Sequence, residues 1–147
     1  MNISRIATVL SLIGAAFILY IGLSYLIAPE ATATGFGLPS WPTGEAAAFM
    51  NLKGVRDTAS GILILALLAA RQRFALGISM LVLALIPIGD MTTVLSYHGS
   101  TAAAFGIHGL TAALVALTGF LLIREPRTAG IESAVAAPPA MSPVTAR

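Results

Sequence analysis

The chain has 147 residues, 57% hydrophobic and only 10% charged, with a mean hydropathy of +0.91, whereas soluble domains carry about 25% charged residues. Eight Lys and Arg against six Asp and Glu leave a small positive excess, scattered at helix ends and not gathered into a stripe, so no nucleic-acid partner is expected. The absence of cysteine excludes disulfides, thiol catalysis and thiolate metal sites.

A bilayer-crossing helix needs about 20 mainly apolar residues. Residues 6–28 form an uncharged run that stops at Pro29, which cannot easily continue a helix. The run is longer than the roughly 7–15 residues of a signal-peptide core, so it reads as a retained span despite the small-residue "ATA" at 31–33. The loop that follows, "PEATATGFGLPSWPTGE", is rich in Gly and Pro, and Trp41 is expected at the membrane interface. A second span is placed over 46–70, although it is apolar only from Gly61 onward. A third covers 74–96, interrupted by Pro87 and Asp90, and a fourth covers 102–123 and carries His108. Residues 126–147 read as a disordered, Ala/Pro-rich cytoplasmic tail. No internal repeat is evident.

Charge placement decides for the weak second span. With four spans, Arg5, the pair Arg71 and Arg73, and the pair Arg124 and Arg127 share one side, while Glu30, Glu45 and the "YHGST" turn take the other. Positive residues favour the cytoplasmic side. The expected fold class is therefore all-α, an integral membrane four-helix bundle with both termini cytoplasmic.

The polar residues inside the spans are not scattered. At about 100° per residue, Lys53, Arg56, Asp57 and Ser60 share one arc, and Asn51 falls opposite. Asp90, Thr93 and Tyr97 share an arc on the third helix, His108 and Thr111 on the fourth, and Tyr20 and Ser24 on the first. Tyr25 points elsewhere and reads as an interfacial anchor. By depth these groups converge in the outer half, above an inner half of Leu, Ile, Val and Ala. A lone charge at mid-membrane costs about 2.5–3.5 kcal/mol or more, so the charges should pair: Lys53 with Asp57 at i, i+4, and Arg56 with Asp90 across helices. His108 is left without a charge partner as the natural titrating group. Pro87 cannot bond back to the Leu83 carbonyl and should bend the third helix near a cavity. Gly54, Gly61, Gly89, Gly106 and Gly109 are candidates for close helix contact.

No metal site is expected, because Lys53 and Arg56 oppose a cation beside Asp57 and Asp90. There is no phosphate-binding or dinucleotide glycine pattern and no serine elbow, so no cofactor is expected.

Four blocks, "PEATATGFGLP", "KGVRDTASG", "LIPIGD" and "GIHGLTAA", resemble a membrane family of bacteria and fungi known as domain of unknown function 4267. The resemblance covers roughly residues 6–123. It implies a four-helix membrane fold, with Lys53, Gly54, Arg56, Asp57, Gly89, Asp90, His108 and Gly109 as motif positions. It implies little about activity.

The leading expectation is a membrane-embedded polar pocket for a small lipophilic or amphipathic molecule, with room for cofactor-free acid–base chemistry of isomerase, cyclase or hydratase type. Asp57, Asp90 and His108 are the candidate catalytic groups. Lys53, Arg56, Tyr20, Ser60, Thr93 and Thr111 are the candidate binding groups. The expected surroundings are the lipid bilayer of a bacterial inner membrane, with the chain alone or as a homo-oligomer. Two other classes compete: a small or proton-coupled carrier, and a structural or partner-binding subunit in which the ion pairs only hold the helices in register.

Overall fold

The computed structural model describes residues 2–125, and every element within them is helical. The expectation for the tail at 126–147 lies outside the described residues. Helix α1 (Ile3–Ile27) opens on Asn2, whose side chain accepts a hydrogen bond from the Ser4 amide, relieving one of the unpaired donors of the first turn. It ends at Ala28, whose backbone leaves the helical region directly before Pro29, as the residue before proline tends to do. Pro29 then starts the short α2 (Pro29–Ala33), where a missing N–H is harmless. A loop over 34–43 and a tight turn over Gly44–Ala47 lead into α3 (Ala48–Ala69).

Helices α4 (Arg73–Leu83) and α5 (Leu85–Ser96) form one interrupted rod. The interruption falls where Pro87 has no N–H to offer the Leu83 carbonyl, and the bond from the Ile88 amide to the Ala84 carbonyl is stretched to 3.3 Å. The last rod comprises α6 (Thr101–Ala103), a π turn over Ala104–Gly109, and α7 (Leu110–Ile123). Two turns between rods share one closure. Arg71 and His98 adopt left-handed φ values of 57° and 55°, and the amides after them reach back to Leu67 and Val94, the Schellman ending usually supplied by glycine.

Three rods, Ile3–Ile27, Arg73–Ser96 and Thr101–Ile123, are long and apolar enough to cross a membrane. Helix α3 has the length but carries Lys53, Arg56 and Asp57 in its first half.

Glycines set two close helix crossings. A Cβ on Gly22 of α1 would sit 2.5 Å from the Thr58 amide and 2.9 Å from the Gly54 carbonyl of α3. A Cβ on Gly77 of α4 would sit 3.0 Å from the Gly119 carbonyl of α7, and the reverse contact is 2.9 Å. Such backbone-to-backbone approach is how small residues pack helices in lipid, where apolar burial between helices gives little drive. Gly61 joins them by packing under Leu19. Gly89 and Gly106, expected at helix contacts, instead face open space, and Gly109 lies against Met91. The contacts at Gly22, Gly77 and Gly119 were not anticipated.

Side chains close both ends. At one end Ala7, Leu76, Met80 and Leu122 belong to a buried apolar cluster. Beside it the Arg73 guanidinium donates to the Ser4 carbonyl (3.1 Å), the Thr8 hydroxyl (3.1 Å) and the Glu125 carboxylate, so this arginine ties α1, α4 and the end of α7 together. At the opposite, loop end, Tyr25, Ala33 and Met50 form a second cluster with Trp41 packed on it. Trp41 and Tyr25, expected as interfacial anchors, are thus partly and almost fully enclosed by protein. The α1–α3 crossing at Gly22 is the reason for Tyr25: one turn further along α1, it falls on the packed face.

Candidate functional site

Helix α3 presents Lys53 and Asp57 one turn apart, and α5 presents Asp90 opposite them. Lys53 Nζ lies 2.7 Å from Asp57 Oδ2 and 3.3 Å from Asp90 Oδ2, bridging the two carboxylates. Arg56 Nε lies 3.1 Å from Asp57 Oδ1, while its Nη2 reaches Asp90 Oδ1 only at 3.9 Å. The expected pairing of Arg56 with Asp90 is therefore the loosest contact of the group. Asp57 is fully buried with both oxygens engaged, whereas the Arg56 side chain is 45% exposed. Arg56 thus reaches both carboxylates from the exposed side, as a long side chain with its charge kept near the exterior can.

The loop over 34–43 supplies what helical periodicity could not. The Phe36 amide bonds to the Ala33 carbonyl, Gly37 takes a left-handed φ of 100°, and its carbonyl accepts from the Ser100 amide at 2.8 Å. This strap holds the Phe36 carbonyl 2.9 Å from His108 Nε2. Because a carbonyl can only accept, Nε2 carries a proton, and in a neutral ring that leaves Nδ1 as the acceptor. The Phe36 and His108 rings are tilted against each other with centroids 4.7 Å apart. Lys53 Nζ sits 5.3 Å from the Phe36 and Tyr25 ring centres, within the range where an aromatic face stabilises a cation.

His108 lies on the π turn of Ala104–Gly109. A π turn inserts an extra residue into a helix and re-aims the side chains around it, often at functional sites. Here His108 is buried toward α5 and the strap.

Below these groups runs a cavity of about 630 Å³. Lys53, Asp57, Asp90, His108 and Thr111, all singled out from the sequence, line it. Arg56, Ser60, Thr93 and Tyr20 do not. Ser60 donates to the Arg56 carbonyl at 2.9 Å, Thr93 is exposed, and Tyr20 is 68% exposed. Tyr25, Phe36 and Thr118 are lining residues that sequence reasoning missed. Gly22, three positions before Tyr25, is a readable signal for that residue; for Phe36, in an irregular loop, there is none. Thr118 lies far down α7, and its hydroxyl is satisfied by the Leu114 carbonyl at 2.7 Å. The cavity continues past the charged groups along Ile18, Gly14 and Leu10 of α1 to Met80, so the apolar half expected beneath the polar groups contains an apolar chamber.

The arrangement joins a hydrogen-bonding head, with one tightly held carboxylate and one looser one, to a long hydrocarbon-lined space. Among curated proteins and among solved structures, nothing matches the chain. The family model described as domain of unknown function 4267 matches residues 15–122, a span that includes the ion pairs among Lys53, Arg56, Asp57 and Asp90 and every lining residue except Leu10, Ile13 and Gly14. The chain belongs to that family.

Proposed function

We propose that this protein is a membrane-embedded binding protein for a small amphipathic molecule, held with its polar end against Asp90 and His108 and its apolar part in the chamber below. In this reading α3 crosses the membrane beside the three apolar rods, giving a four-helix bundle in a bacterial inner membrane. The basic ends at Arg5, Arg71, Arg73 and Arg124 would face the cytoplasm. The ion pairs make α3 tolerable there, since intramembrane charges persist when they pair inside the protein.

The observation that carries the proposal is the polarity of one continuous cavity: Lys53, Asp57, Asp90 and His108 at one end, and side chains such as Leu10, Ile18, Met80 and Val115 along the rest. Its volume falls within the roughly 300–1,000 Å³ common for small-molecule sites. Asp90 and Nδ1 of His108 are its proton acceptors, which is the equipment that cofactor-free isomerisation, cyclisation or hydration requires. A carrier is the weaker alternative, because the buried cluster of Ala7, Leu76 and Leu122 blocks the cavity's far end.

Native mass spectrometry of protein purified in mild detergent tests this. Wild type should retain a bound amphipath, and Asp90→Asn should lower its occupancy about tenfold, the value of one hydrogen bond to a charged group. Equal occupancy in both proteins would remove Asp90 from the binding site.

A further inference from the structure

The way into the cavity and the charge state of its head group both bear on which molecule fits. The loop end is covered by the strap, with Phe36 lying on His108 and close to Lys53, and with Trp41 packed on the Tyr25 cluster. The far end is blocked by buried side chains. The side is different. Ile13 and Phe17 of α1, and Ile107, Leu110 and Leu114 of the π turn and α7, line the cavity and are also exposed, Ile13 by 60% and Leu110 by 55%. Residues that face both the cavity and the exterior form the rim of an opening. Gly14 and Gly106 line the same gap from its two sides, and nothing lies within 4 Å of where their Cβ atoms would be.

At the head, charge is already balanced. Lys53 and Arg56 offset Asp57 and Asp90, each cation lying within 4 Å of both carboxylates. An anionic head would have to draw Lys53 away from Asp90 while facing two carboxylates, and a cationic head would leave an excess positive charge. Either is expensive where water is scarce. A hydroxyl donates to Asp90 or His108 Nδ1 and disturbs no pair. Size narrows the class further. At roughly 30 Å³ per water-sized group, 630 Å³ holds about twenty heavy atoms, enough for one long alkyl chain with a small head. From Tyr25 to Leu10 the lining follows α1 for about 22 Å at 1.5 Å per residue, deeper than the roughly 15 Å of half a hydrocarbon core.

We infer that the cavity fills sideways from the lipid, through the gap between α1 and α7, and takes a single-chain lipid whose head is an uncharged hydroxyl. This inference rests on the ligand-binding reading of the cavity. It is tested in proteoliposomes with three photoactivatable probes that share a hexadecyl tail and carry an alcohol, a carboxylic acid or a primary amine. Labelled peptides are then mapped.

The alcohol should label cavity-lining peptides about tenfold more than the acid or the amine. Gly14→Leu and Gly106→Leu should each reduce that labelling about tenfold by filling the gap; Gly14→Ala and Gly106→Ala serve in the same role, with a smaller reduction, if the leucine variants do not fold. Cavity labelling by the acid or amine equal to that by the alcohol overturns the head assignment and leaves the cavity reading intact. Undiminished alcohol labelling in folded glycine variants overturns the side entrance. Labelling by every probe only at outward-facing residues such as Leu12 and Leu23 overturns both this inference and the ligand-binding reading.

Discussion

Gly22→Val is expected to lower the melting temperature of the detergent-purified protein by roughly 10 °C, a loss of about 3 kcal/mol. Overpacking a core usually costs about 1–3 kcal/mol because side chains yield. Here the atoms met first are the Thr58 amide and hydroxyl, both at 2.5 Å, and the Gly54 carbonyl at 2.9 Å; the hydroxyl can rotate, but the backbone amide and carbonyl cannot turn aside. The α1 and α3 helices must separate, which pulls Tyr25 and Lys53 away from their contact at the head of the cavity. Gly89→Ala is the matched control: with open space at that position, it should raise stability by up to about 1 kcal/mol, since alanine loses less backbone freedom on folding. A Gly22→Val protein that melts like wild type would mean the two helices do not cross there.

Asp57→Ala is expected to be the most damaging change in the charged cluster, costing about 3 kcal/mol in thermal or denaturant unfolding. Removing one member of a buried pair leaves its partner uncompensated, typically at about 3–5 kcal/mol. The partial exposure of Lys53 and Arg56 pulls the figure toward the low end. Replacing both members, as in Lys53→Met with Asp57→Leu, should restore most of the loss, because it leaves Arg56 with Asp90 and puts apolar surface where the pair stood. Should the double variant unfold as readily as Asp57→Ala, charge balance would not be what Asp57 provides. The comparison also separates scaffold from site: the double variant should regain stability without regaining ligand.

Helix content and the apolar rods are legible in the sequence because long uncharged runs with proline or glycine at their ends leave few alternatives. The meeting of Lys53, Asp57, Asp90 and His108 at one cavity is legible for a related reason: charges in apolar helices must turn toward one another, whatever the details of packing. Three features are not legible, each for a definite cause. Tyr25 reads as an interfacial anchor when the wheel of α1 is oriented on its polar residues Tyr20 and Ser24, whereas the crossing at Gly22 sets the rotation. Pairing Lys53 with Asp57 alone leaves Arg56 for Asp90, but Lys53 bridges both carboxylates. Phe36 reaches His108 through a left-handed Gly37 and a bond to Ser100, contacts made across a loop that carries no periodicity to read.

Arg73 shows the same limit at the other end. Its position near a span boundary suggests only a cytoplasmic charge, yet it donates to Ser4 and Thr8 on α1 and to Glu125 just past the end of α7. A charge count registers the sign of such a residue and misses its partners.

The most direct measurement is an experimental structure determined in lipid nanodiscs without added ligand. Four helical rods are expected within the bilayer, α3 among them, together with elongated density along α1 from Tyr25 to Leu10 whose polar end lies within hydrogen-bonding distance of Asp90 or His108. A collapsed cavity, an α3 lying outside the bilayer, or density whose polar end sits beside Met80 instead of Asp90 would contradict the ligand-binding four-helix reading.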